Sequence, residues 1–279
     1  MGVRFIGSLE AMRNPAFRSP AFNEGGSGAT TITAEELERQ YAQPSYERPN
    51  DDVMTVDDSV RKSILGFVVL LFGAAIGAAL FFIAPAAGLP VVIVAALVGI
   101  VLGFVNAFKR EPSPALILVY ALVQGVFVGA ISFVFEAQLP GIVGQAVLAT
   151  LCVVGVTLAL FVSGKVRASK RATKIFLIAI IGYGLFSIVN LVLMLTGAVD
   201  DPWGLRGSVT LFGIPLGVIL GLVAVLLGAY SLVLDFDYIK RGVENRAPRK
   251  YGWTAAFGIL VTVIWLYVEI LRLIAIARR

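Results

Sequence analysis

No histidine occurs in this chain of 279 residues. That absence removes Ser-His and Cys-His catalysis, every imidazole metal site, and the usual side chain that titrates near neutral pH. A pH response would have to come from a carboxylate whose pKa is raised by burial. There is one cysteine, Cys152, so an internal disulfide is excluded. It lies in an apolar run and is expected to be a small core hydrophobe. Charge is also scarce: 15% of residues are charged against 58% hydrophobic, with a mean hydropathy of +0.88. A soluble domain is not that apolar, and a multi-span membrane protein is. No nucleotide-binding loop, haem site or nucleophile–base arrangement is present, and no Gly-x-Gly-Asp segment of the intramembrane aspartyl protease kind. Neither an enzyme nor a cofactor is therefore expected.

What the chain does have is long apolar runs. About 20 residues cross a hydrocarbon core, and stretches near that length recur at 63–84, 91–108, 114–135, 141–163, 175–197, 209–234 and 252–276. They are continuous rather than alternating, which excludes a barrel and predicts an all-α membrane protein, a bundle of seven transmembrane helices over 63–279. The surrounding lipid bilayer is its first partner.

Basic residues mark every second loop: Arg61 and Lys62, then Lys109 and Arg110, then Lys165 to Lys174, then Lys240 to Lys250. The alternate loops hold no base around 85–90 or 136–140, and only Arg206 beside Asp200 and Asp201. The positive-inside rule places the N-terminus in the cytoplasm of a multi-pass cell-membrane protein. The excess of bases is thus a topology signal, and no nucleic-acid partner is expected. Arg278 and Arg279 run against seven full crossings. The alternative is a last segment that enters and returns, which requires surrounding protein or a cavity.

Residues 1–62 carry seven Lys and Arg against ten Asp and Glu, a net of −3, and no apolar run. They are expected to form a largely disordered acidic cytoplasmic tail. Thr33-Ala34-Glu35-Glu36 resembles a capping box that would start a short helix through Gln40. The start shows no leader pattern. Met1-Gly2 is followed by Ile6 where myristoylation wants Ser or Thr. Glycines at spacing four, Gly73/Gly77, Gly99/Gly103, Gly125/Gly129 and Gly213/Gly217/Gly221, predict close helix contacts.

Asp235 follows the sixth apolar run and Glu269 interrupts the seventh. An acid in a membrane segment costs about 2.5–3.5 kcal/mol on insertion scales and usually faces a bundle interior or a water path. Asp237, two residues from Asp235, points to nearly the opposite side. It is a further candidate for an ion path or pH sensor with Asp235 and Glu269, or it meets the interface and pairs with Lys240 or Arg241. Arg272, three residues after Glu269, has helical ion-pair spacing. Arg110, at the end of the second span, is on the same side as Asp235 and could latch to it. Asn106, Gln124, Gln145 and Asn190 are expected to bond between helices, and Glu136 to lie at the outer interface.

Several segments together resemble the Bax inhibitor-1 family, the transmembrane BAX inhibitor motif proteins. These are Asp235-Phe236-Asp237-Tyr238-Ile239, Leu266-Tyr267-Val268-Glu269-Ile270, Ser113-Pro114-Ala115-Leu116 and Gln145-Ala146-Val147-Leu148. Asn14-Pro15-Ala16-Phe17 is similar to the start of a bacterial subgroup. The resemblance implies a seven-helix fold with a central C-terminal helix. It also implies a pH-sensitive passive calcium leak gated by two facing carboxylates. By that analogy Asp235 and Glu269 share protons and hold calcium transiently, with Arg110 as a latch to Asp235. Glu stands at 269 where the family carries Asp. Some relatives imply a different role, in which the protein regulates a membrane protease or a stress response without transport. Chain length sets a condition on the pair. If the last helix begins at Tyr251, Glu269 lies about 27 Å along it, near the far face. The acids then meet only if residues 244–258 lie outside the membrane, along it, or re-enter.

Overall fold

The computed structural model describes residues 53–278. The expected short helix at 33–40 and the motif at 14–17 lie outside the described residues, as does most of the acidic tail. Seven long helices follow one another: α1 (Val56–Ile83), α2 (Pro85–Phe108), α3 (Pro114–Gln138), α4 (Ile142–Val162), α5 (Lys170–Leu195), α7 (Leu216–Glu244) and α8 (Gly252–Ala277). Between α5 and α7 come a four-residue helix, α6 (Leu205–Ser208), and a hairpin of β1 (Thr210–Leu211) and β2 (Ile214–Pro215). All seven long helices have the length and composition to cross a membrane.

Three helices outrun their apolar stretches with polar turns, and local chemistry explains each. α5 begins at Lys170 rather than at 175 because Ser169 caps it, accepting from Ala172 N at 3.2 Å. α1 begins at Val56 rather than at 63 because Thr55 caps it, accepting from Asp58 N at 3.1 Å. Asp57–Arg61 (2.9 Å) and Asp58–Lys62 then brace the polar first turns. Residues 56–62, expected to belong to the tail, are the first turns of α1. α7 starts at Leu216, not 209, since Phe212 and Gly213 take positive φ in the hairpin turn. It runs past 234 to Glu244 on the i,i+4 pairs Asp237–Arg241 and Lys240–Glu244. Gly213 thus belongs to a turn. The small-residue ridge of α7 is Gly217, Gly221, Ala224 and Gly228, all buried.

Lipid does not drive helices together as water does, so close packing and hydrogen bonds must. α1 and α3 meet backbone to backbone. A Cβ at Gly73, Gly77, Gly125 or Gly129 would collide with a carbonyl oxygen of the opposite helix. α2 lies outside α3, with Gly99 under the Gln124 amide and Asn106 donating to Leu116 O at 3.4 Å.

α8 is the centre of the bundle. It contributes to each of the three buried clusters: Leu260 and Ile264 with Leu70 and Ile117, Ile270 and Leu271 with Ile142 and Ala146, and Ala255 with Met54 and Ile239. By contrast, α5 buries only Asn190, and its Ile175, Ile178 and Ile188 are exposed. Cys152 is also exposed, on α4, rather than in the core.

α8 is continuous for 26 residues, about 39 Å, so the last segment crosses fully and does not turn back. Its end meets the α3–α4 link, where Arg278 donates to Pro140 O and Gln145 Oε1. The bases of Lys109, Arg110, Lys165 and Lys250 thus gather at one end of the bundle, and Arg206 and Arg278 stand at the other.

At the base-rich end a short strap ties the entry of α1 to the α7–α8 connection. Val53 bridges Pro248, and Met54 N donates to Ala247 O at 2.7 Å. The Met54 side chain is buried against Gly242 and Ala255. Asp58 pairs with both Lys62 and Arg249.

Candidate functional site

Asp235 of α7 and Glu269 of α8 lie where these two helices run antiparallel. The ridge of α7 receives α8 side chains in strict order: Ile276 on Gly217, Leu273 on Gly221, Leu266 on Gly228. Small residues are needed because a Cβ at these positions would press on the side chain seated there. One and two turns on, the seam becomes polar. Ser231 Oγ lies 3.2 Å from Thr262 Oγ1, and Thr262 donates to Asp235 Oδ2 at 2.8 Å. Gly258 makes the room, since a Cβ there would stand 2.7 Å from Asp235 Oδ1.

Asp235 is thus inside α7, nine residues before its last residue Glu244, about 14 Å, rather than at a helix end. It is half-buried, and among the described residues no base pairs with it. Asp237 points the other way and pairs with Arg241. Arg110 does not reach Asp235. α2 ends at Phe108, which leaves Arg110 exposed in the following turn. Its neighbour Glu111 instead bonds Lys250 at 2.7 Å. The Lys250 ammonium holds the Glu111 carboxyl below the usual carboxylate range.

Glu269 is 3% exposed, and its environment is different. Arg272 pairs with it and also donates to Tyr183 OH on α5. The Tyr183 ring also lies beneath Arg206, whose Cζ is 5.2 Å from that ring and 5.5 Å from Phe186. Arg206 is buried and donates to Ser187 Oγ at 2.6 Å, while its Nε has no partner. Asn190 holds this corner together, accepting from Leu205 N at 2.7 Å and donating to Trp203 O at 3.2 Å.

The expected face-to-face pair of Asp235 and Glu269 is therefore not formed. Asp235 bonds α8 at Thr262, and Glu269 is seven residues farther on, about 10 Å along the axis. Between them Leu266, fully buried, fills the seam against Gly228. The separation has a simple cause: α8 begins at Gly252 and has no break, so nothing brings residue 269 back toward the base-rich end. The two acids also differ in chemistry. Asp235, held by the Thr262 hydroxyl, can take a proton or a cation. Glu269 is already compensated by a guanidinium, which stabilises its charge in a site where an unpaired one would be costly.

Among the described residues no three Asp, Glu or Cys side chains cluster as a metal site. A hard cation would meet one carboxylate with hydroxyl and carbonyl oxygens, a sparse set compared with the six to eight oxygens of a holding site for calcium.

Thr262, Ser231, Gly258, Tyr183 and Arg206 belong to this geometry and were not singled out from sequence. Arg206 left a trace there, as the lone base in a loop that the charge rule leaves uncharged. Three of the four membrane amides bond outside their own helix, Asn106 among them, and the fourth, Gln124, bonds Tyr120 within α3. Glu136 accepts from Gly141 N and Val143 N at the base-poor end, and Gln145 and Asn190 bond across elements.

A comparison with curated proteins finds no match. The profile of the family described as Bax inhibitor 1 like matches residues 14–279. With seven spanning helices around a central last one, the chain belongs to that family.

Proposed function

We propose that this protein is a passive cation leak of the cell membrane, with calcium as the conducted ion and Asp235 as its proton-sensitive element. The supporting observation is the setting of Asp235, a carboxylate inside a membrane helix with hydroxyl neighbours and no basic partner among the described residues. An ionised Asp235 offers a hard oxygen to a hard cation. A protonated one does not, so the path responds to pH without histidine. Glu269 serves as a second station nearer the base-poor end, where Arg272 balances it. The two carboxylates act in succession rather than by sharing one proton. Leu266 closes the seam between them, and conduction requires α7 and α8 to part there. The base-rich end faces the cytoplasm by the positive-inside rule.

Calcium flux into proteoliposomes, measured across a pH series, tests this. Asp235→Asn keeps the shape and removes the titration, so its flux is expected to lose most of its pH dependence. Glu269→Gln is expected to keep the pH response, whereas a proton-sharing pair would lose it in both variants. An Asp235→Asn protein with the wild-type pH curve would overturn the proposal.

A further inference from the structure

On the face of α8 away from Asp235, a groove of about 830 Å³ opens between α1 and α4. Its floor is α3 and α8, and its walls carry Leu71 on one side and Val147 and Leu151 on the other, all exposed. Along α1 it runs from Phe67 to Ala78, eleven residues or about 16 Å. That is the depth of one leaflet, half of a hydrocarbon core of about 30 Å.

The hydroxyls at the floor are already satisfied. Ser132 and Tyr267 bond each other at 2.6 Å, and Thr150 donates to Ala146 O at 2.7 Å. The groove therefore presents an apolar interior. Its rim is at the base-poor end, where Glu136 turns both carboxylate oxygens inward onto backbone N–H groups. Arg278 stands at the same rim. It is exposed and bonds two neutral oxygens; it forms no salt bridge among the described residues, and its charge also acts on the nearby Glu136 carboxylate.

An apolar slot of one-leaflet depth, open sideways to the hydrocarbon and with an exposed guanidinium near its rim, has the form of a lipid seat. We propose that the groove is a phospholipid site. It takes an acyl chain of the leaflet at the base-poor end, with the lipid phosphate at Arg278. This site is separate from the seam that holds Asp235 and does not depend on the leak reading.

Gly144 provides a clean test. It lines the groove, and a Cβ there meets nothing within 4 Å. Gly144→Phe starts its side chain in open space at the groove lining and improves helix propensity. Gly182→Phe, at an exposed glycine of α5 with equally open surroundings, serves as the control. The full chain is reconstituted in vesicles of zwitterionic phospholipid containing a spin-labelled anionic phospholipid, and the motionally restricted lipid is measured by electron spin resonance.

The wild type and Gly182→Phe are expected to show a tightly held lipid component. Gly144→Phe is expected to weaken it about tenfold. Arg278→Gln is expected to retain lipid but lose the preference for the anionic headgroup. Equal restriction in Gly144→Phe and the wild type would overturn the site, and an unchanged headgroup preference in Arg278→Gln would overturn the phosphate contact. If the wild type held no restricted lipid while Gly144→Phe changed the oligomeric state, the occupant would be a second copy of this chain and the lipid assignment would fail.

Discussion

The α1–α3 contact and the α7–α8 seam are both built on glycines at helical spacing, and they are opposite kinds of interface. In the first, glycines on both helices bring carbonyl oxygens against Cα atoms, with no side chain between to give way. In the second, Gly217, Gly221 and Gly228 of α7 each face a flexible side chain of α8, and Gly258 of α8 makes room for Asp235. The seam also contains the polar residues Ser231, Thr262 and Asp235. One pattern in the sequence therefore makes a weld in one place and a sliding joint in the other. The difference lies in what the partner helix offers to the gap.

The largest expected effect tests the weld. Gly129→Leu drives a side chain into the backbone of Ala74, which cannot move without separating α1 from α3. The protein is expected to lose its cooperative thermal transition in detergent. Gly228→Ala meets the Leu266 side chain rather than backbone, and overpacking of that kind costs about 1–3 kcal/mol. It should lower the melting temperature and leave the fold intact. Equal losses in the two variants would erase the distinction.

Next comes Leu266→Ala, which opens the joint from the other side. A fully buried leucine cut to alanine costs about 2–5 kcal/mol in a packed core. Here it also removes the barrier between the two acids. Calcium flux in proteoliposomes should rise even as the melting temperature falls. A destabilised variant with unchanged flux would place the constriction elsewhere.

The smallest effect concerns the surface tie of α7–α8 to the α2–α3 turn. Lys250 lowers the pKa of Glu111 in the folded protein. The stabilisation is thus present above the ordinary carboxylate pKa and is lost as pH falls through the lowered one. Glu111→Gln should melt slightly below the wild type near neutral pH, and the two curves should converge in acid. The gap should also shrink with added salt, since the pair is exposed. A gap that widened in acid would reverse the assignment.

The spans were legible because a membrane imposes a length, and seven apolar runs met it. Their ends were less so. Hydropathy stops at Leu234, while helix geometry continues through Asp237–Arg241 and Lys240–Glu244, because ion pairs at spacing four support a helix that has left the hydrocarbon. Asp235 and Glu269 stood out as acids in apolar sequence, and the rise per residue already showed that an unbroken last helix would hold them apart. Thr262 and Ser231 carried no such mark. Hydroxyl residues are common in membrane helices and usually bond their own backbone, as Ser132 and Thr150 do here. Only the antiparallel register of α7 and α8 puts them beside the carboxylate. Arg206 was read as a loop residue. Its burial depends on a turn held by Asn190, thirteen residues from Trp203 in sequence.

The strap at Val53 and Met54 has a mechanical consequence. Its backbone is bonded to Ala247 and its thioether is lodged under Gly242. A load applied to the chain before residue 53 is therefore delivered first to the connection that joins α7 to α8, and only afterwards to the shaft of α1. The same attachment limits how far that connection can lift while Met54 stays in its socket. Residues remote from the sliding joint in sequence thus hold a lever arm on it.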